Sequence, residues 1–360
     1  MTRQMQSDYM DFAKFGAEAR YNLATSGVAN ADLADLGLTW SDLALHGPNA
    51  GGFRPLVETV AARFRVDPAC VVMPGGGASF ANHLALAALV APGDEVLIEW
   101  PSYELLSSQL GYLQADVRRF ERRLGDGWRL DPYRVEAALT AKTKLVVLTN
   151  LHNPTGALAD DAAIGSVAAA AAKVGALVFV DEVYRELMFA DGEPATTSFR
   201  KDGNVVVTSS LTKAYGVTGL RCGWILAPPV LAQRMRRLND LYGVHPPHIA
   251  ERMSVVAFER LPQLRARATA LIDAGRAAYQ AVLGGHPKLS QVVFEQGTTV
   301  FPRLAEGDGD HFFQRLTETF ETSVVPGRFF GLTRHIRIGL AGDPHATRIG
   351  LGRVAAALDA

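Results

Sequence analysis

Four short runs constrain the fold of this chain more than any other feature: Val96-Leu97-Ile98-Glu99-Trp100, Leu145-Val146-Val147-Leu148-Thr149, Leu177-Val178-Phe179-Val180 and Val205-Val206-Val207-Thr208. A strand with one face in water alternates apolar and polar residues, whereas these runs are apolar almost throughout. Such strands must be covered on both faces. Helix-like segments lie between them, notably Pro132 to Leu139 and Asp160 to Lys173. Asp131 reads as an N-cap with proline in the first helical turn behind it. Alternating strands and helices predict an α/β fold with a mostly parallel sheet between helices. From about Pro228 the texture changes. A long helical stretch from Pro229 to Leu283 is punctuated by His245-Pro246-Pro247. Short strand-like pieces follow at Val292 to Phe294, Thr299 to Phe301, Thr322 to Val325 and His335 to Ile338. These predict a smaller α+β domain. The expected division is an N-terminal segment 1–40 packing on that domain or on a partner subunit, a large domain 41–240 and a small domain 241–360.

Composition narrows the function. The 360 residues are 48% hydrophobic and 20% charged, a globular balance with ample core. A net charge of −1 gives no reason to expect nucleic acid or an anionic membrane as partner. No stretch approaches the ~20 apolar residues of a membrane span. The start, Met1 to Met10, lacks the apolar centre of a secretory signal. With only Cys70 and Cys222, a disulfide framework is excluded and a reduced, cytoplasmic setting is expected.

Ligands of open α/β sheets bind beyond the carboxyl ends of the strands, and here the polar residues gather at those ends. Asn150-Leu151-His152-Asn153-Pro154-Thr155-Gly156 follows the second run, and Asp181-Glu182-Val183-Tyr184 follows the third. Ser209-Ser210-Leu211-Thr212-Lys213 follows the fourth, with Arg221 eight positions after the lysine. An amide, a carboxylate, a phenol, hydroxyls, an amine and a guanidinium therefore converge. Pyridoxal phosphate needs such a set. Its aldehyde takes an amine, its ring nitrogen a carboxylate, its ring oxygen hydrogen-bond donors, and its phosphate N–H groups, hydroxyls and a cation. Gly75-Gly76-Gly77-Ala78-Ser79 before the apolar run Phe80 to Val90 offers helix-start N–H groups for that phosphate. It is not a dinucleotide fingerprint, because Phe80 stands where a third glycine is needed.

At Asn153-Pro154-Thr155-Gly156, Asp181-Glu182-Val183-Tyr184, Ser210-Leu211-Thr212-Lys213 with Arg221, and Arg337-Ile338-Gly339, the chain resembles the class I/II aminotransferases of the pyridoxal-phosphate fold type I, the aspartate aminotransferase superfamily. The signatures follow family order and spacing over nearly the whole length. The resemblance implies a seven-stranded, mostly parallel sheet and a homodimer with active sites at the interface. It implies a Schiff base between Lys213 and the cofactor, with Lys213 then carrying the proton at the substrate α-carbon. Asp181 would pair with the ring nitrogen, Asn153 and Tyr184 would bond the ring oxygen, and Tyr103 would place its ring against the cofactor face. Gly77, Ala78, Ser79, Ser210 and Arg221 would hold the phosphate. Arg337 would clamp the substrate α-carboxylate with its planar fork, aided by Asn153 and Gly27.

In Leu45-His46-Gly47-Pro48, His46 stands where the family usually has a tyrosine that reaches the other subunit's phosphate. Histidine donates a hydrogen bond at shorter reach. The implied activity is transfer of an amino group from an L-α-amino acid to a 2-oxo acid. A carbon–sulfur β-lyase or another eliminating or cyclising enzyme uses the same motifs, since the reactions part only after the α-proton is lost. A non-catalytic cofactor-binding sensor would need a DNA-binding helix-turn-helix ahead of the domain, for which the residues up to about 40 are too few and too weakly basic. Substrate preference is expected to rest on Ser26-Gly27-Val28, Trp224, Tyr242 and the neighbouring subunit. No metal site is expected.

Overall fold

Every second residue of the four apolar runs points into one of two separate cores. In the computed structural model, which describes residues 3–39, 43–48, 52–188 and 195–360, the runs are inner strands of a seven-stranded sheet. Its strands in chain order are β1 (Val71–Val72), β2 (Glu95–Trp100), β3 (Asp116–Glu121), β4 (Thr143–Thr149), β5 (Leu177–Asp181), β6 (Val205–Ser210) and β7 (Gly223–Leu226). They lie in the order β1-β7-β6-β5-β4-β2-β3, and only β7 runs against its neighbours. Leu97, Val146, Val178 and Val207 join one core, with Trp224 and Leu226. Ile98, Val147, Phe179, Val206 and Ile225 join the other. Two-sided burial is what the unbroken apolar runs predict.

Helices cover both faces. They are α1 (Arg54–Phe64), α2 (Gly77–Leu89), α3 (Glu104–Tyr112), α4 (Pro132–Ala138), α5 (Asp161–Lys173), α6 (Pro229–Asn239), α7 (His248–Glu259) and α8 (Leu261–Leu283). Asp131 caps α4 by accepting from the Tyr133 N–H, and Asp160 caps α5 by accepting from the Ala163 N–H. The helical stretch after Pro228 is three helices, broken around His245-Pro246-Pro247 and again at Arg260. The core that holds Trp224 also takes Ala257, Phe258, Leu261 and Leu264, so the start of α8 still belongs to the large sheet.

The smaller α+β domain follows. Strands β8 (Thr299–Val300), β9 (Val325–Pro326) and β10 (Ile336–Gly339) form an antiparallel sheet in the order β8-β10-β9. The rest of α8, with α9 (Gly309–Phe320) and α10 (Pro344–Asp359), packs on it through Tyr279, Leu316, Ile336, Ile338 and Leu351. Val292 to Phe294 is not a strand; pairing falls instead on Leu289–Ser290 with Arg303–Leu304. The run Thr322 to Val325 is divided between two partners, because Thr322–Ser323 pairs in parallel with Tyr21–Asn22 while Val325 belongs to β9. The N-terminal segment is thereby tied to the small domain. Among the described residues no helix is long and apolar enough to cross a membrane.

The chain winds outward from β2 to β3, returns to β4, and winds the other way through β5 and β6. This reversal opens a crevice at the carboxyl ends of β2 and β4. Register brings Thr149, Asp181 and Thr208 side by side along that edge.

Candidate active site

A cavity of about 200 Å³ opens at this edge, and polar side chains from the N-terminal segment, the start of α2 and the ends of several strands line it. The structure brings Lys213, Asp181, Tyr184, Asn153, Tyr103, Ala78, Ser79, Ser210 and Arg221 together on its wall. Gly77 and Gly27 lie just behind. A Cβ on Gly77 would stand 2.9 Å from Arg221 Nη2, and one on Gly27 would stand 3.1 Å from Lys213 Cδ. Arg337 is fully buried on β10, behind Tyr9. His46 is exposed and does not line the cavity of its own chain.

Lys213 sits in the short helix Thr212–Tyr215 immediately after β6. The Val28 N–H donates to its carbonyl at 2.9 Å, which ties the helix to the N-terminal segment. Its ammonium is pulled down to about 8, chiefly by burial and then by the charges of Arg337 and Arg221, with Asp181 working in the opposite direction. Its side chain keeps some surface toward the cavity, so cavity water moderates that burial.

Asp181 ends β5. Its Oδ2 accepts from Asn82 Nδ2 at 2.7 Å and its Oδ1 from the Val183 N–H at 3.0 Å. Asn82 in turn accepts from Thr208 Oγ1 at 2.6 Å, so the carboxylate is aimed by a chain of bonds across neighbouring strands. Burial pushes the Asp181 carboxyl up to about 6 against the bonds from Asn82 and Val183. Tyr184 is pushed up to about 12, again by burial first.

At the start of α2, Gly75, Gly76 and Gly77 all take positive φ, at 74°, 66° and 72°, to turn the chain into the helix. The Gly77 N–H donates to the Arg221 carbonyl at 2.8 Å, and Arg221 Nη2 donates to the Gly76 carbonyl at 2.8 Å. Arg221 itself has φ +48°. The start of a 13-residue helix, the Ser79 and Ser210 side chains and a guanidinium thus face one end of the cavity. Thr212, also on the wall, has a buried hydroxyl with no partner.

Asn153 is fixed from beneath. Its N–H donates to Thr149 Oγ1 at 3.0 Å, while the Thr149 N–H and Oγ1 both donate to Glu99 Oε1 at 2.6 Å. Glu99 Oε2 accepts from buried Arg122 at 2.9 Å. His152 is buried and bonds Thr155 Oγ1 and the Pro101 carbonyl. Burial holds its ring well below the usual histidine range, and therefore neutral. Among the neighbouring arginines, Arg328 bonds Asp310, Arg334 bonds backbone carbonyls and Arg348 is exposed, which leaves Arg337 as the guanidinium facing inward.

One expectation about substrate preference is corrected. Trp224 lies at the centre of the large core against Phe64 and Phe258, because β7 is an inner strand there. Tyr242 is half-exposed and meets Phe80 and His83 edge-on, outside the cavity of its own chain. Sequence reasoning missed Tyr9, Met10, Ala13, Asn82, Thr149 and Thr212 as wall residues and placed Ser26 there correctly. Asn82 could have been found: it is a lone amide in the apolar run of α2, three residues after Ser79 and so on the same face. Tyr9 and Met10 sit in a four-residue helix, Asp8–Asp11, with no periodic signal.

The arrangement sets an amine and a carboxylate on one wall and offers an anion the helix start, two hydroxyls and a guanidinium. The family model for class I and II aminotransferases matches residues 46–354. Capreomycidine synthase of Streptomyces vinaceus is 32% identical over 336 residues, covering 90% of this chain and 86% of that protein. An arginine–pyruvate transaminase of Pseudomonas aeruginosa is 30% identical, covering 86% and 81%. The solved PLP-dependent cyclase OrfR shares the fold at a TM-score of 0.88 and 23% identity, covering 100% of this chain and 98% of that one. Match and geometry agree, and the chain belongs to the class I and II aminotransferases, in the aspartate aminotransferase superfamily of fold type I pyridoxal-phosphate enzymes.

Proposed function

We propose that the protein is a pyridoxal-phosphate-dependent aminotransferase that moves the amino group of an L-α-amino acid to a 2-oxo acid. The observation that carries this reading is the Lys213 amine, lowered to about 8 on a wall shared with Asp181 and Arg221. The residues present fit the cofactor. The unpartnered Thr212 hydroxyl calls for an acceptor on the cavity wall, and Gly77 keeps the space that a Cβ would take from Arg221. Asp181 would hold the ring nitrogen, Asn153 and Tyr184 the ring oxygen, and Tyr103 one ring face. Gly77, Ala78, Ser79, Ser210 and Arg221 would hold the phosphate. When bound, the cofactor supplies an aldehyde for the amine and a ring that draws electron density from the α-carbon.

The remaining work falls to the chain. Arg337, with Asn153 and the Gly27 backbone, would orient the α-carboxylate so that the α-hydrogen faces Lys213. The Lys213 Nζ, once free and neutral, takes that proton and returns it to the other carbon of the exchange. A group that loses its proton near 8 is matched to this task at neutral pH. Two copies of the chain would pair so that His46, exposed in its own subunit, meets the phosphate end of the other subunit's site.

The test is a half-reaction. Incubated with L-amino acids and no acceptor, the holoenzyme should release one 2-oxo acid per site and stop, then resume when a different 2-oxo acid is added. Lys213→Ala should lose both this release and the cofactor's visible band. Wild-type protein that neither colours nor binds added pyridoxal phosphate would sink the proposal.

A second reading is an eliminating or cyclising enzyme on the same fold, and the 32% identity over 90% of the chain to a protein named a synthase rather than a transaminase supports it. In its cyclising form the enzyme would keep the amino nitrogen and close a ring on its substrate. Continuous turnover of one amino acid without any 2-oxo acid, with the nitrogen retained in the product by mass spectrometry, distinguishes it.

A further inference from the structure

Arg337 carries a buried charge whose hydrogen-bond acceptors are all neutral. Its Nη1 donates to Asn153 Oδ1 at 3.1 Å, and its Nη2 donates to the Tyr9 hydroxyl at 2.9 Å and the Ala24 carbonyl at 3.0 Å. Its Nε is buried without a partner among the described residues. A guanidinium stripped of water and given no counter-charge is costly to keep, and an anion relieves that cost. A carboxylate does so best by accepting two parallel N–H bonds from one edge of the fork. On the Nε edge one donor is free and the other, Nη2, is engaged by both the Tyr9 hydroxyl and the Ala24 carbonyl.

Tyr9 also stands on the approach. It lines the cavity with Met10 and Ala13, whereas Arg337 does not reach the cavity surface. Its ring lies edge-on to Tyr103 and to Phe329, with centroids 5.7 Å away in each case. The segment carrying it is fastened to α3 from outside the site, through Ser7 to Glu104 and through Gln4 to Ser108 at 2.7 Å. The Tyr9 side chain can therefore give way while its segment stays docked.

We propose that Tyr9 is a positioning residue that sets the affinity of the site for the α-carboxylate: its hydroxyl holds the Arg337 donor until a substrate α-carboxylate displaces it. This rests on reading Arg337 as the carboxylate anchor. A carboxylate exchanges one neutral hydrogen bond for a charge-assisted pair, and an uncharged ligand has nothing to offer in exchange. The phenol thus raises the concentration at which an α-carboxylate reaches the fork, while an amine that lacks the carboxylate neither displaces it nor is hindered by it.

The experiment titrates propionate, a minimal carboxylate, into the holoenzyme by calorimetry. Tyr9→Phe keeps the ring and its packing but removes the competitor, so propionate should bind about three- to tenfold more tightly than to wild type. The KM of the amino acid used best in the half-reaction should fall similarly, with kcat unchanged. The KM of the amine lacking its carboxylate should not move. Equal or weaker propionate binding to Tyr9→Phe would overturn the proposal, as would no binding at all, since the fork is then open. Arg337→Lys and Arg337→Gln separate the two levels. If both bind propionate as wild type does, the anchor itself is wrong; if they lose it while Tyr9→Phe gains nothing, only the role of Tyr9 fails.

Discussion

Lys213 and Asp181 are held in protonation states that their own burial opposes, and this has a thermodynamic signature. For Lys213 the native value is depressed, from 10.5 in a free side chain to about 8. Its contribution to stability is therefore intact above about pH 10.5 and is lost as pH falls through about 8. Near neutral pH the cofactor-free protein bears the full cost, on the order of 2 kcal/mol once screening by cavity water is allowed for. Lys213→Met, neutral and of similar length, should thus raise the melting temperature of the cofactor-free protein at about pH 7, with the gain shrinking toward zero by about pH 10.5. Melts at several pH values check this, and a gain that does not depend on pH would show that Lys213 is not desolvated. Asp181 has the opposite dependence: with its value raised to about 6, its stabilising contribution is present below 3.8 and lost as pH rises through about 6. Asn82 limits that loss by donating to Oδ2. Asn82→Leu should therefore weaken cofactor binding about tenfold by equilibrium dialysis, since the amide that holds Asp181 ionised and aimed is gone.

At the scale of elements, the turn into α2 depends on two backbones in contact. A Cβ on Gly223 would stand 2.4 Å from the Gly77 carbonyl carbon and 2.7 Å from the Ala78 nitrogen, so β7 and the start of α2 can touch only with glycine there. Gly223→Ala should destabilise the protein by about 3 kcal/mol and push Ala78 out of position. A lower melting temperature together with weaker binding of pyridoxal phosphate is expected; a wild-type melt would mean that the two elements do not touch. Nothing in Gly223 alone announces this contact, because it joins residues far apart in sequence. The inner strands were legible since two-sided burial writes itself as continuous apolar runs. Strand β3 was not, because Asp-Val-Arg-Arg-Phe-Glu lies at the sheet's edge with Phe120 as its one buried residue. Its pairing with β2 supplies what its composition withholds. Val292 to Phe294 misled for the converse reason: an apolar triplet packs its side chains on the small domain and the aromatic cluster without joining a ladder.

For the whole molecule, sequence motifs marked the walls of the cavity proposed for the cofactor, since each follows a strand end and the sheet itself carries the strand ends together. The side proposed to receive substrate was less legible. It is assembled from the unpatterned N-terminal segment, from β10 and, on the proposed reading, from a second copy of the chain. His46 offers the sharpest test of that last part. It is exposed in its own subunit, on a segment that passes close to the start of α7, where a Cβ on Gly47 would stand 2.3 Å from His248 Nε2. Consider mixed dimers made from Lys213→Ala and His46→Ala chains. If His46 serves the opposite site, the one site that keeps Lys213 also receives an intact His46 from the other chain. That site should bind pyridoxal phosphate as tightly as wild type, and its visible band should titrate accordingly. If His46 serves its own chain, the same site carries the alanine, and affinity should fall by about three- to tenfold, the worth of one phosphate hydrogen bond. The His46→Ala homodimer sets the weak limit in either case. Mixed dimers that match that limit would remove the crossed arrangement and return His46 to its own subunit.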